Sequence, residues 1–124
     1  MSVEVVAEQE FPAERASPAA ARRFVVGCLR TAGEDVDDGL AVIVSELVTN
    51  AVIHARSSCR VEVCVDGSGV RISVHDADPR LPEPQPHEPR RVTGRGLLLV
   101  DALSDRWGVT PVPGGKVVWF EIDR

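Results

Sequence analysis

The sequence predicts an α+β two-layer sandwich, a mostly antiparallel sheet covered on one face by helices, and three patterns carry that reading. "CRVEVCVD" and "VRISVHD" alternate apolar and polar residues around a "GSG" turn. Two segments before them repeat their apolar residues at helical spacing. Helices and hairpins are segregated along the chain rather than interleaved one by one, which disfavours a parallel sheet. At 124 residues, 44% of them apolar, residues 1–124 are expected to form a single domain with a real core.

Residues 3–11 alternate as a strand that Pro12 ends. Ser17-Pro18 is a helix-start signal, Ala21, Phe24, Val25, Cys28, Leu29 and Ala32 form the stripe, and Gly33 closes the helix. A second helix starts near Asp35 to Asp38, whose carboxylates suit its positive end, and runs to about Arg56. Leu40, Val44, Leu47, Val48, Ala51 and Ala55 form its buried stripe, while Val42, Val52 and Ile53 point outward. A hairpin over 59–66 and 70–76 follows. "ADPRLPEPQPHEPRRVT" then carries five prolines and little apolar content, so it is a loop, and a loop this long in a small domain is usually functional or disordered. "GRGLLLVDALSD" reads as a glycine-led short helix, and "RWGVTPVPGGKVVWFEI" as a second hairpin turning at Pro113 to Gly115.

Composition narrows the function. A net charge of -5 and a pI near 5.1 argue against a partner bound through its phosphate backbone, so no nucleic acid is expected. The N-terminus "MSVEVVAEQEF" is acidic where a signal peptide needs positive charge, and no apolar run approaches the roughly 20 residues that span a bilayer. Cys59 and Cys64 lie five apart in one strand and face opposite ways, so the three cysteines read as reduced thiols. The expected setting is cytoplasmic, without membrane contact.

Within the second helix, Glu46, Asn50 and His54 recur at four-residue intervals along one flank of the stripe, with Ile43 among them. Such a row is either a solvated flank or the wall of a site where a base and an amide oxygen stand one turn apart. Asp76 ends a strand and enters the proline-rich loop, placed to accept a hydrogen bond from an exocyclic amine or to cap its own backbone. Gly94-Arg95-Gly96 opens a helix, where backbone N–H groups can hold an anion. No G-K-[ST] follows, so this is not a Walker loop. Arg90, Arg91 and Arg95 either neutralise phosphates there or form a solvated basic loop; His75 and His87 look incidental.

Taken in order, "ELVTNAVIHA", a strand running into "DADP", a loop, "GRGLLLV" and "GGKVVWFEI" resemble the GHKL nucleotide-binding (Bergerat-type) fold, and within it the anti-sigma-factor serine kinases and their actinobacterial relatives. The likeness spans nearly the whole chain, "AARRFV" in the first helix included. It implies ATP and Mg²⁺ as cofactors, Glu46 as catalytic base and Asn50 as Mg²⁺ ligand. It also implies Asp76 as the residue that recognises adenine, with Asp78, Gly94, Arg95, Gly96 and Leu97 completing the nucleotide site and residues 77–93 as the lid. His54 falls where the family often has a histidine and is read as packing. The implied activity is a serine/threonine protein kinase that phosphorylates a STAS-domain anti-sigma antagonist and sequesters a sigma factor, in a family that commonly forms homodimers. The alternative is a non-catalytic, nucleotide-gated module binding the same partners. Two departures bear on that choice. The family's D-x-G-x-G reads Asp76-Ala77-Asp78-Pro79-Arg80 here, and Lys116-Val117 stands where relatives carry a threonine. Asp tolerates positive φ better than most residues, so Asp78 is expected to keep the glycine's backbone path.

Overall fold

The structure, a computed structural model, describes residues 4–78 and 92–124, with backbone alone for 4–6 and 92–96. Its strands are β1 (Glu4–Phe11), β2 (Cys59–Asp66), β3 (Gly69–Asp76), β4 (Arg106–Val112) and β5 (Gly115–Asp123). Its helices are α1 (Ser17–Thr31), α2 (Asp38–Thr49) and α3 (Val92–Leu103), and a π-helical turn over Asn50–His54 continues α2. The strands form one sheet in the order β1-β2-β3-β5-β4, every neighbouring pair antiparallel. This is the two-layer α+β sandwich expected from the segregated helices and hairpins.

Each hairpin is set by its turn. Asp66 Oδ1 accepts from the Ser68 and Gly69 N–H groups at 2.7 and 3.0 Å, tying β2 to β3. Gly114, at φ 77°, provides the left-handed residue that joins β4 to β5. The alternation then sorts side chains by face. Val61, Val63, Val70, Ile72, Val74, Val118 and Phe120 face the helices and are buried. The opposite face carries charge: Arg60, Glu62 and His75 cluster there, with His75 Nδ1 3.2 Å from Arg60 Nη2 and Nε2 3.2 Å from the Glu62 carboxylate. Arg71 stacks over the Trp119 ring at 4.4 Å on that side. His75 therefore belongs to the outer face of the sheet, away from the helices.

Helix α1 buries Ala21, Val25 and Leu29 and half-buries Phe24 and Cys28, but Ala32 lies beyond its end and is exposed. The start signal works differently from an ordinary cap: Ser17 Oγ donates back to Pro12 O at 2.6 Å, while Pro18 supplies the fixed φ of the first turn. Asp37 caps α2 by accepting from Leu40 N–H at 2.8 Å. Where α2 gives way to the π turn, the Ala55 N–H donates to Asn50 O at 2.9 Å, five residues back. Arg56, at φ 53°, then breaks the helix.

The π turn changes what the helical wheel predicts. It rotates less per residue than an α-helix, and the residues after Asn50 swing relative to the stripe. Val52, expected outside, is 3% exposed, while His54, read as packing, is exposed and Ala55 only half-buried. Ile43, placed in the polar row, is fully buried, so the buried stripe is wider than the wheel suggests. Val42 and Ile53 are exposed as expected.

A pair of substitutions tests this rotation. Val52→Ala is expected to cost about 2 kcal/mol, since it empties buried apolar volume. Ile53→Ala, next door and exposed, is expected to stay within about 0.5 kcal/mol of the parent. Urea denaturation of both variants measures the difference, and equal effects would place Val52 and Ile53 in similar environments.

Candidate functional site

The candidate site gathers where β3 ends. Asp76 is its last residue, paired in register with Lys116 on β5. The Lys116 ammonium lies 3.1 Å from Asp76 Oδ1 and 3.1 Å from Oδ2, and the two side chains are 8% and 5% exposed. The same ammonium donates to Asp78 O at 3.0 Å, and the Asp78 N–H donates to Asp76 Oδ1 at 2.8 Å. Asp76 therefore organises the chain leaving β3 through its own carboxylate. Asp78 does not take the left-handed backbone expected of it: Arg56 is the one non-glycine with positive φ among the described residues. The Asx turn on Asp76 shapes that path instead.

Gly115 makes the approach of β5 possible. A Cβ there would lie 1.9 Å from Asp76 O and 3.1 Å from the Ala77 Cα, closer than any side chain can come.

Ser57 ties this strand end to the helices. Its N–H donates to Ala51 O at 2.9 Å, and its Oγ accepts from the Ala77 N–H at 2.9 Å. Asp76 and Ala77 are thus linked through one buried serine to the turn that begins at Asn50. Sequence reasoning missed Ser57; the only signal was a hydroxyl pair, Ser57-Ser58, where a helix gives way to a strand. It also read Lys116 only as a missing threonine, because nothing in the sequence shows that positions 76 and 116 face each other.

On α2, Glu46 and Asn50 stand one turn apart, with the Asn50 N–H donating to Glu46 O, and both side chains are half-buried. Asn50 Oδ1 itself is buried and has no hydrogen-bond partner among the described residues. An orphaned buried acceptor costs roughly 1–3 kcal/mol. A hard cation is a natural partner for an amide oxygen, so this atom fits a Mg²⁺ ligand. No group of three or more His, Cys, Asp or Glu among the described residues is placed to hold a metal.

Helix α3 packs against both α2 and the π turn. It begins at Val92, earlier than the glycine-led start expected from sequence, so Gly94 falls among the N–H groups that the first turn leaves unbonded, whereas Gly96, expected to hold phosphate with it, lies beyond that turn, where the N–H is used within the helix. Leu97 is 4% exposed and lies past that turn, where it packs inward. The side chain of Arg95 lies outside the described residues, as do Arg90, Arg91, His87 and all of the expected 77–93 lid except Ala77, Asp78 and the backbone of 92 and 93.

Ser57 thus brings the turn that begins at Asn50 to the end of β3 with its lysine, and α3 packs against α2 and that same turn. Residues 11–122 match the family described as the histidine kinase-like ATPase domain. The chain belongs to that family. Among solved structures, this histidine kinase-like domain resembles the crystal structure of the RsbU and RsbW domains of Rv1364c from Mycobacterium tuberculosis, with a TM-score of 0.69 and 21% identity. The match covers 95% of this chain and 33% of that one, so this chain spans about a third of that protein's length. An uncharacterized protein of Streptomyces coelicolor, SCO4941, is 37% identical over 71 residues, 52% of this chain and 67% of that one. Membership implies an ATP-binding domain. No helix among the described residues is long and apolar enough to cross a membrane.

Cys59, opposite Asp76 in the sheet, is buried among the apolar residues below the site. Burial, with the charges of Asp76 and Glu10 adding to it, pushes its thiol up to about 12 from the usual 9.0. The folded state therefore holds this proton more tightly than the unfolded chain does. The associated stability is complete below pH 9 and is lost as pH rises from 9 towards 12. Cys59→Ala is expected to flatten this part of the stability-versus-pH curve, read from urea midpoints at pH 8 to 10.5 (roughly the accessible window for the shift). A second expectation concerns β5: Gly115→Ala should lower stability by about 2 kcal/mol or more, because the obstacle is backbone that cannot swing aside. Thermal unfolding followed by circular dichroism checks it.

Proposed function

We propose that this chain is an anti-sigma-type serine/threonine protein kinase, using ATP·Mg²⁺ to phosphorylate a STAS-domain antagonist and sequestering a sigma factor. The observation that carries it is the orphaned, buried Asn50 Oδ1 one helical turn from the Glu46 carboxylate. A domain that only packed would fill or solvate that acceptor. Family membership supports ATP, the resemblance in the motifs supports the partner class, and the solved neighbour with an RsbW domain has the same fold.

In this reading, Glu46 accepts the proton from a serine or threonine hydroxyl of the partner as the hydroxyl oxygen bonds to the γ-phosphorus and ADP leaves. Asn50 holds the Mg²⁺, which when bound neutralises charge on the phosphates. The N–H groups in the first turn of α3, that of Gly94 among them, hold phosphate oxygens, and the absent side chain at Gly94 lets the backbone come close. Asp76 reads the base, and Asp78 fixes its orientation through its N–H. Such a chain works in the cytoplasm, where its partners and ATP are found, alone or as a homodimer.

A second reading, a module that binds the same partners without catalysis, draws on a specific observation: the carboxylate expected to recognise adenine is already paired with Lys116. The experiment that separates the two incubates the protein with labelled ATP, Mg²⁺ and candidate STAS-domain proteins. Label is expected to move to the partner. In Glu46→Ala, transfer is expected to fall about a hundredfold or more while nucleotide binding persists, because a base acts on the hydroxyl. Asn50→Ala is expected to weaken Mg²⁺-dependent binding itself. Binding without transfer to any partner would favour the module, and unchanged turnover in both variants would overturn the residue roles.

A further inference from the structure

Purine nucleotides differ at carbon 6 in a way that a hydrogen-bonding site can read. Adenine carries an amino group there, a donor; guanine and hypoxanthine carry an oxo group, an acceptor. A solitary carboxylate accepts only, so it takes the amine and repels the oxo oxygen, and a site built that way discriminates strongly because the wrong base leaves polar groups unpaired. Asp76 is not solitary. Its oxygens are both 3.1 Å from the Lys116 ammonium, with both side chains more than nine-tenths buried, so donor and acceptor stand side by side at the end of β3.

The bonds already made show what each half can take. Asp76 Oδ1 accepts from both the Asp78 N–H and Lys116, whereas Oδ2 is bonded to Lys116 only among the described residues. A carboxylate oxygen has a second acceptor site, so Oδ2 can receive an amine. Lys116 also donates to a neutral carbonyl, Asp78 O, at 3.0 Å. That carbonyl is the chemical counterpart of a 6-oxo group, and exchanging one for the other keeps the ammonium satisfied.

We propose that Lys116 is a specificity-determining residue that makes the base end of the proposed nucleotide site accept 6-amino and 6-oxo purine nucleoside triphosphates alike. The inference rests on the nucleotide-binding reading above and deepens it. The pair still recognises a purine edge but no longer selects between its two forms. Removing the ammonium restores a lone acceptor and with it a preference for the amine. Lys116 reaches the base only as half of this pair, so its effect appears in the ratio between nucleotides rather than in affinity for phosphates.

The test uses the whole chain with Mg²⁺, displacing a fluorescent N-methylanthraniloyl ATP with ATP, ITP or GTP. ITP differs from ATP at the 6 position without adding guanine's 2-amino group. For the parent protein, ATP and ITP are expected to compete within about threefold of each other. In Lys116→Met, which keeps the aliphatic stem, the preference for ATP over ITP is expected to rise about tenfold or more, the size of one charge-assisted hydrogen bond gained against one repelled. If the methionine variant does not fold, the parent's own ATP-to-ITP ratio decides, because a site that selects the amine binds ITP far more weakly than ATP. A parent that already prefers ATP by more than about threefold, or a ratio that rises less than tenfold in the folded variant, overturns the proposal. Nucleotide bound by neither parent nor variant overturns the nucleotide reading itself, and this proposal with it.

Discussion

A carboxylate taken out of water must be paired, and the buried contact between Asp76 and Lys116 is the interaction on which the working edge of this domain depends. Neither side chain is more than 8% exposed, so neither finds compensation in solvent. Deleting one partner of such a pair typically costs about 3–5 kcal/mol, mostly the penalty of the charge left behind. The pair also has a geometric role. It holds the start of β5 against the end of β3, a closeness that only a glycine at 115 permits. Through the Asp78 N–H and carbonyl it sets the direction in which the chain leaves the sheet towards the proline-rich segment.

The same edge depends on a second, smaller tie. Ser57 bridges the helix exit and the strand exit with its N–H and its hydroxyl, so the turn carrying Asn50 and the strand end carrying Asp76 are positioned relative to each other by hydrogen bonds rather than by apolar packing alone. Apolar contacts are non-directional and tolerate sliding; bonds of 2.9 Å do not. A site assembled from separate elements needs such directional ties, and here they come from Asp76 and from Ser57, a serine that sequence inspection passes over as a loop residue.

How much was legible follows from the kind of pattern involved. Both hairpins, α1 and the start of α2 follow from local signals: alternation around a "GSG" turn, the carboxylates of Asp35 to Asp38, a terminal glycine at 33. The polar flank with Glu46 and Asn50 was visible because it keeps α-helical spacing. What followed Asn50 was not, since the wheel assumes a constant rotation and a π turn breaks it; Val52 turned inward and His54 outward for that reason. The start of α3 was placed too late because glycines were taken as the boundary, although Val92 and Thr93 already adopt the helix. Pairing between the two hairpins was illegible: residues 76 and 116 are forty apart, and only the register of β3 with β5 brings an acidic and a basic side chain together.

The eroded glycine motif and the lysine make sense as parts of one change. A glycine after the base-reading aspartate gives the chain freedom to turn around a ligand. In this chain Asp78 has ordinary φ, and the turn is held instead by the Asp76 carboxylate accepting its N–H. That bond draws on Asp76 as an acceptor, and Lys116 draws on both its oxygens, so the aspartate has become structural as well as available. On α2, by contrast, Asn50 Oδ1 remains buried without a donor among the described residues, the condition of an atom kept for a ligand. Under the proposed function the two ends of the site differ: the atom that would take the metal keeps its unmet chemistry, while the carboxylate that would take the base has satisfied much of its own. On that reading, relaxed recognition of the base would leave phosphoryl transfer intact, because the reacting bond would lie at the phosphate end.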